Sequence, residues 1–161
     1  MVSLLTIAIG VLVLGIILSV LAPYLTPGYL QLNNQLVRTG KSALLEPNGT
    51  LTQELTVNES GMTLLFLTNS THDLVKVFNS TAMVRNSTGS LSTQLPMGEY
   101  RLEVVNLLNT SQPMEYYVLL VSSARLGQIV VFYDIISNAY LVGIAIGIVG
   151  LVRYVSRRRR K

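Results

Sequence analysis

Cysteine is missing from all 161 residues, and histidine occurs once, as His72. These two absences remove disulfides, thiolate nucleophiles and cysteine or poly-histidine metal centres from the chemistry open to the chain. Charge is scarce as well: Asp, Glu, Lys and Arg make up 12% of the residues, against about a quarter in an average soluble domain. No phosphate-cradling glycine loop, nucleophile elbow or paired-acid spacing is present. The deficit in charge is matched by an apolar excess concentrated at the two ends.

From Val2 to Ala22 the chain runs 21 residues without a charged side chain. That is enough to cross a hydrocarbon core of about 30 Å at about 1.5 Å per helical residue, and Pro23 marks its end. Counting back about 20 residues from Arg153 places the far edge of a second span near Tyr133 and Asp134. Ile135 to Val152 therefore reads as a second transmembrane helix, extended outward to Gln128. The expected division is helix 1 over 1–25, a middle module over 26–127, helix 2 over 128–152 and a basic tail over 153–161. A cleaved signal peptide is the alternative for the first span. The absence of a basic n-region from "MVS" and the length of the apolar run favour a retained anchor.

Six of the 12 Lys and Arg follow the second span: Arg153, Arg157, Arg158, Arg159, Arg160 and Lys161. The segment between the spans has six cations and seven acids. By the positive-inside rule the tail is cytoplasmic; two spans then place both termini inside and the middle outside the plasma membrane. The arginine cluster reads as a topology anchor. Such clusters also attract nucleic acid or anionic lipid, but nearly every final span needs this flank, so a nucleic-acid partner is not expected.

The middle carries six Asn-x-Ser/Thr sequons, at Asn48, Asn58, Asn69, Asn79, Asn86 and Asn109. With nine asparagines in that segment, chance supplies roughly two. N-linked glycans on an exported module are the expected use, with turn composition the competing explanation. Many sequons without cysteine resemble archaeal cell-surface proteins in composition.

Period two dominates this middle. In "LTQELTV", Leu51, Gln53, Leu55 and Val57 share one face against Thr52, Glu54 and Thr56. In "EYRLEVV", Tyr100, Leu102 and Val104 oppose Arg101 and Glu103. "MTLLFLT" and "MEYYVLLV" are more evenly apolar and suit central strands. Turn clusters separate them: "EPNGT", "NESG", "TNSTHD", "RNSTGS", "LPMGE" and "NTSQP". Strands at about ten-residue spacing with no helix among them predict an antiparallel β-sandwich of about seven to nine strands. The order "NESGMTLLFL", "HDLVKVFN", "LPMGEYRLEVVN", "MEYYVLLVSS" resembles the small jelly-roll modules of the pre-peptidase C-terminal and GOLD types. That resemblance implies a non-catalytic role in adhesion, cargo or assembly.

Candidate sites are few. His72 beside Asp73 is the nearest approach to a catalytic pair, and a histidine in a polar turn is usually surface decoration. The scattered acids read as solvated strand faces and turns. Catalytic residues, metals and cofactors are not expected. Ala139, Gly143 and Gly147 recur every four residues in the second span, with Gly150 close by; the first span has Thr6 with Gly10 and Gly15 with Ser19. Faces without bulky side chains let backbones approach, which is how helices associate in lipid. Helix packing is therefore expected there, with the first span, a second copy or a larger membrane protein complex. Asn138 is expected to hydrogen-bond a neighbouring helix, and Asp134 to sit at the outer interface as a helix-start residue or an intramembrane acid. The function expected is that of an accessory or structural subunit of a membrane assembly. A surface receptor or adhesin is the alternative, and a virion envelope protein with its basic tail facing nucleic acid a further one.

Overall fold

Uncharged aliphatic residues make the N-terminal run a helix, α1 (Leu4–Leu25), in the computed structural model of the chain, which describes residues 4–158. Pro23 has no N–H to donate and the helix stops two residues later. Thr26 closes that end, giving both its backbone N–H (3.1 Å) and its hydroxyl (2.8 Å) to Ala22 O. The described residues form two compact units, one over 31–126 and one joining residues up to 30 with those from 127 onward. Arg159, Arg160 and Lys161 of the expected anchor lie outside the described residues.

A second helix, α2 (Tyr29–Arg38), departs from the expectation of none between the spans. Gly28, at a φ of 80°, turns the chain into it. Tyr29, Leu32 and Leu36 recur at helical spacing along one side with Gln31, Gln35 and Arg38 opposite. At ten residues directly after Pro27-Gly28, the α2 repeat is too short to stand out from the β module expected over 26–127. The last helix, α3 (Ser123–Arg158), has 36 residues, about 54 Å at 1.5 Å per residue. It begins five residues before Gln128 and continues past Val152. Both α1 and α3 are long and apolar enough to cross a membrane.

The strands between them are β1 (Lys41–Leu45), β2 (Thr50–Val57), β3 (Met62–Thr68), β4 (Asp73–Phe78), β5 (Met83–Thr88), β6 (Leu91–Leu95), β7 (Gly98–Asn106) and β8 (Gln112–Ser122). They form two antiparallel sheets, ordered β1-β8-β3-β6 and β2-β7-β4-β5. First pairs with last, second with seventh, third with sixth and fourth with fifth, the nested wiring of a two-sheet jelly roll. Alternation in β2 and β7 runs as read: Leu51, Gln53, Leu55 and Val57 turn inward and are less exposed than the residues between them. Tyr100, Leu102 and Val104 are buried in β7 while Arg101 is exposed.

Residues 85–88 of the expected "RNSTGS" turn instead belong to β5. This edge strand has no buried residue, so it carries no hydrophobic signal and is held by backbone pairing to β4. Between the sheets lies one apolar core, with Leu64, Phe66, Val75, Val77, Leu95, Leu102, Val104 and Met114 almost wholly enclosed. Phe66 stacks on Tyr116 with ring centroids 6.0 Å apart.

Candidate functional site

In the helical unit the glycines decide the packing. A Cβ placed on Gly147 would stand 2.8 Å from Leu12 Cβ and 3.0 Å from its Cα, and one on Gly150 would stand 2.8 Å from Ala8 Cβ. Gly15, on α1, similarly faces Ile144 and the Tyr140 carbonyl. Gly143 is looser: its Cβ would lie 3.6 Å from Gly15 Cα, an ordinary van der Waals contact. The helices thus meet along Ala8, Leu12 and Gly15 of α1 and Gly143, Gly147 and Gly150 of α3. An apolar groove of about 390 Å³ runs beside this seam; Ile7, Val11, Ile146 and Val149 line it, with Arg153.

Several other residues expected to pack stand elsewhere. Ala139 and Asn138 are exposed. Asn138 makes no hydrogen bond among the described residues, because it lies about 140° round the helix from Gly143 at about 100° per residue. Asp134 is exposed as well, and Ser137 and Tyr140 pair through their hydroxyls at 3.2 Å. Gly10 meets nothing within 4 Å, and Ser19 bonds its own helix at Ile16 O. Arg153 and Arg157 are exposed.

Among the strands, the polar residues that matter were not the ones singled out by sequence. Asp73 and Asn106 are fully buried, which corrects the reading of Asp73 as a solvated acid. The Asn106 side-chain amide donates to three carbonyls: Leu45 O (3.2 Å), Glu46 O (3.1 Å) and Thr110 O (2.9 Å). Its oxygen accepts from Leu108 N–H (2.9 Å) and from Gln112 Nε2 (3.2 Å). Gln112 also donates to Asp73 Oδ1, while Asp73 Oδ2 is buried with no hydrogen-bond partner. Gly89 N–H donates to Asp73 O at 2.8 Å and Asn106 N–H to Gly49 O at 3.0 Å. The hub fastens the β1–β2, β3–β4, β5–β6 and β7–β8 loops, all at the end of the sandwich opposite Ser122. Its chemistry is that of a clasp, made of amides and one carboxylate. His72 is exposed while its neighbour Asp73 is enclosed, so the two form no acid–base pair. No group of three or more His, Asp or Glu fit to hold a metal occurs among the described residues.

All six sequon asparagines are exposed. Asn48, Asn69 and Asn109 lie in loops at the clasped end, Asn58 and Asn79 in turns at the other, and Asn86 on edge strand β5. Asn48 has a φ of 55°, which asparagine tolerates better than most residues. Asn69 and Asn79 use only their oxygens: Asn69 Oδ1 accepts from Glu115 N–H (3.0 Å). Asn79 Oδ1 accepts from the N–H (3.0 Å) and hydroxyl (3.0 Å) of Thr81 and from Ala82 N–H (2.7 Å). Beside Asn79 the surface dips into a polar depression of about 250 Å³ lined also by Glu54, Ser80, Glu99, Tyr100 and Arg101. Strand register builds its wall: Glu54 pairs with Arg101, and Arg101 with Phe78. Arg101 is braced by Glu103 at 3.0 Å and by the Phe78 ring at 5.2 Å. Period-two alternation placed Glu54, Arg101 and Glu103 outward; only the cross-strand register brings Glu54 and Phe78 to Arg101.

No protein-family model and no curated protein sequence matches the chain. Solved structures resemble its strand-bearing half at low identity. The PliG inhibitor of g-type lysozyme from Aeromonas hydrophila is 16% identical, with a TM-score of 0.43 over 51% of this chain and 84% of that one. The pre-peptidase C-terminal domain of a Bacillus anthracis collagenase is 14% identical, with a TM-score of 0.42 over 50% and 88%. The Yersinia pseudotuberculosis-derived mitogen is 7% identical, with a TM-score of 0.43 over 49% and 81%. The PliG inhibitor and the pre-peptidase C-terminal domain are small β-sandwich folds.

Proposed function

We propose that the chain is a non-catalytic accessory subunit of a membrane or cell-surface assembly. In this reading α1 and α3 span the plasma membrane as a hairpin with both termini cytoplasmic, and the sandwich is a glycosylated module outside. The observation that carries the reading is what the two helices expose. Away from the glycine seam they present large aliphatic side chains outward, among them Val20 (65% exposed), Ile135 (59%) and Val152 (59%). Apolar surface on this scale is covered by lipid or by another protein rather than left to water. The seam uses one narrow face of each helix and leaves the others for lipid and for a larger membrane partner.

Two measurements test this. Single cysteines introduced into the cysteine-free chain, at Ser42 in the sandwich and at Ser156 near the tail, report sidedness in intact cells. An impermeant maleimide should label the first and spare the second; the reverse pattern would refute the threading. Solubilisation in mild detergent followed by mass spectrometry should recover one or more larger membrane proteins in fixed proportion. Recovery of the chain alone would refute the accessory role.

A further inference from the structure

Asn79 differs from the other sequons in what surrounds it. The β4–β5 turn, Asn79 to Ala82, is exposed throughout, and three hydrogen bonds to Asn79 Oδ1 hold the side chain in one orientation. The nitrogen, which is the atom that carries a sugar, makes no hydrogen bond among the described residues. Glycosylation would therefore leave the turn's bonds intact. Asn106 shows the contrast, since all its amide hydrogen-bonding capacity is spent on three carbonyls.

Asn79 also borders the polar depression of about 250 Å³ on the outer face of the β2-β7-β4-β5 sheet. Glu54 and Glu99 on its lining are exposed and make no ion pair among the described residues, while Arg101 is fixed by Glu103 and Phe78. Two free carboxylates beside a braced guanidinium suit a ring of hydroxyls, which can donate to the first and accept from the second. Asn58 too borders a depression, of about 260 Å³, but Val57, Met62 and Leu120 supply much of its wall. That lining offers sugar hydroxyls few partners.

We propose that the depression beside Asn79 is a saccharide site occupied by the first sugars of the chain's own N-linked glycan at Asn79. This rests on the reading of the sandwich as an exported, glycosylated module. The bound sugars cover the Glu54–Arg101–Phe78 ladder and tie the β4–β5 turn to β7, so the glycan acts as a brace.

The test uses the full chain in detergent, purified from its own glycosylating membranes and from a host without N-glycosylation. Thr81→Ala removes the Asn79 sequon, and Ser60→Ala removes that of Asn58 as a control. Without glycans, Thr81→Ala reports only the lost hydroxyl. With glycans, the fall in Tm should be larger by about 4 °C. The excess should vanish when Glu54 and Glu99 are both changed to Ala, as expected of groups acting as a unit. Ser60→Ala should show no excess. Sugar at Asn79 with no excess loss overturns the proposal. So does a bare Asn79 beside occupied sequons, which leaves the exported reading standing. Six bare sequons in the native material overturn both.

Discussion

Two alanine substitutions one helical turn apart should have opposite consequences. At Gly147 a new Cβ would lie 2.8 Å from Leu12 Cβ and 3.0 Å from its Cα and backbone nitrogen. Carbon atoms sit best at about 3.5–4.0 Å, so α1 and α3 must part by nearly 1 Å. Because the obstacle includes main chain, no rotamer change relieves it. Overpacking of this kind costs about 1–3 kcal/mol, and a gap approaching 1 Å forfeits a quarter to a half of each contact along the seam. Both helices stay helical when they part in lipid, so helix propensity does not offset this, and the loss of association is roughly 1–3 kcal/mol. At Gly143 the added Cβ would meet Gly15 Cα at 3.6 Å, a comfortable contact that adds a little packing and forces nothing apart.

Spin labels on cysteines at the exposed positions Ile17 and Leu141 report the helix separation in lipid by double electron–electron resonance. Gly147→Ala should raise the separated population about tenfold, while Gly143→Ala should leave it unchanged or lower it. Equal effects from the two substitutions would refute the seam.

The clasp and the core make further predictions. Asn106→Ala strands three carbonyls at the closed end of the sandwich and should cost about 3 kcal/mol, seen as a fall of more than 10 °C in Tm. Phe66→Ala should cost about 3–5 kcal/mol in urea unfolding, since Phe66 is fully buried against Tyr116. His72→Ala, at an exposed turn, should change the unfolding free energy by no more than about 0.5 kcal/mol, the range typical of surface positions. A large loss at His72 would reopen the question of a site beside Asp73.

What could be read in advance was what repeats. Leu51 to Val57 and Tyr100 to Val104 announce their inward faces by strict alternation, and the apolar helices α1 and α3 announce themselves by lacking charge over whole turns. Strand β5 gave no such signal, because an edge strand with no buried residue is held by its backbone pairing. Asp73, Asn106 and Gln112 were equally silent. Each is a common loop residue, and burial comes from loops that β-pairing brings together across gaps of 33 and 39 positions in sequence. Gly143 and Gly147 were visible as a pattern; that Gly147 carries the close contact and Gly143 does not depends on the offset between two helices, which periodicity leaves open.

Pairing the first strand with the last has a mechanical corollary. Tension drawn through Thr39 and Ser123 enters at one side of the fold and peels β1 from β8 a rung at a time, from Lys41 opposite Tyr116 toward Leu45 opposite Gln112. Unzipping of this sort yields at low force, whereas shearing loads every rung together. A module wired in this way is poorly suited to bear load in series and well suited to sit beside the path of force.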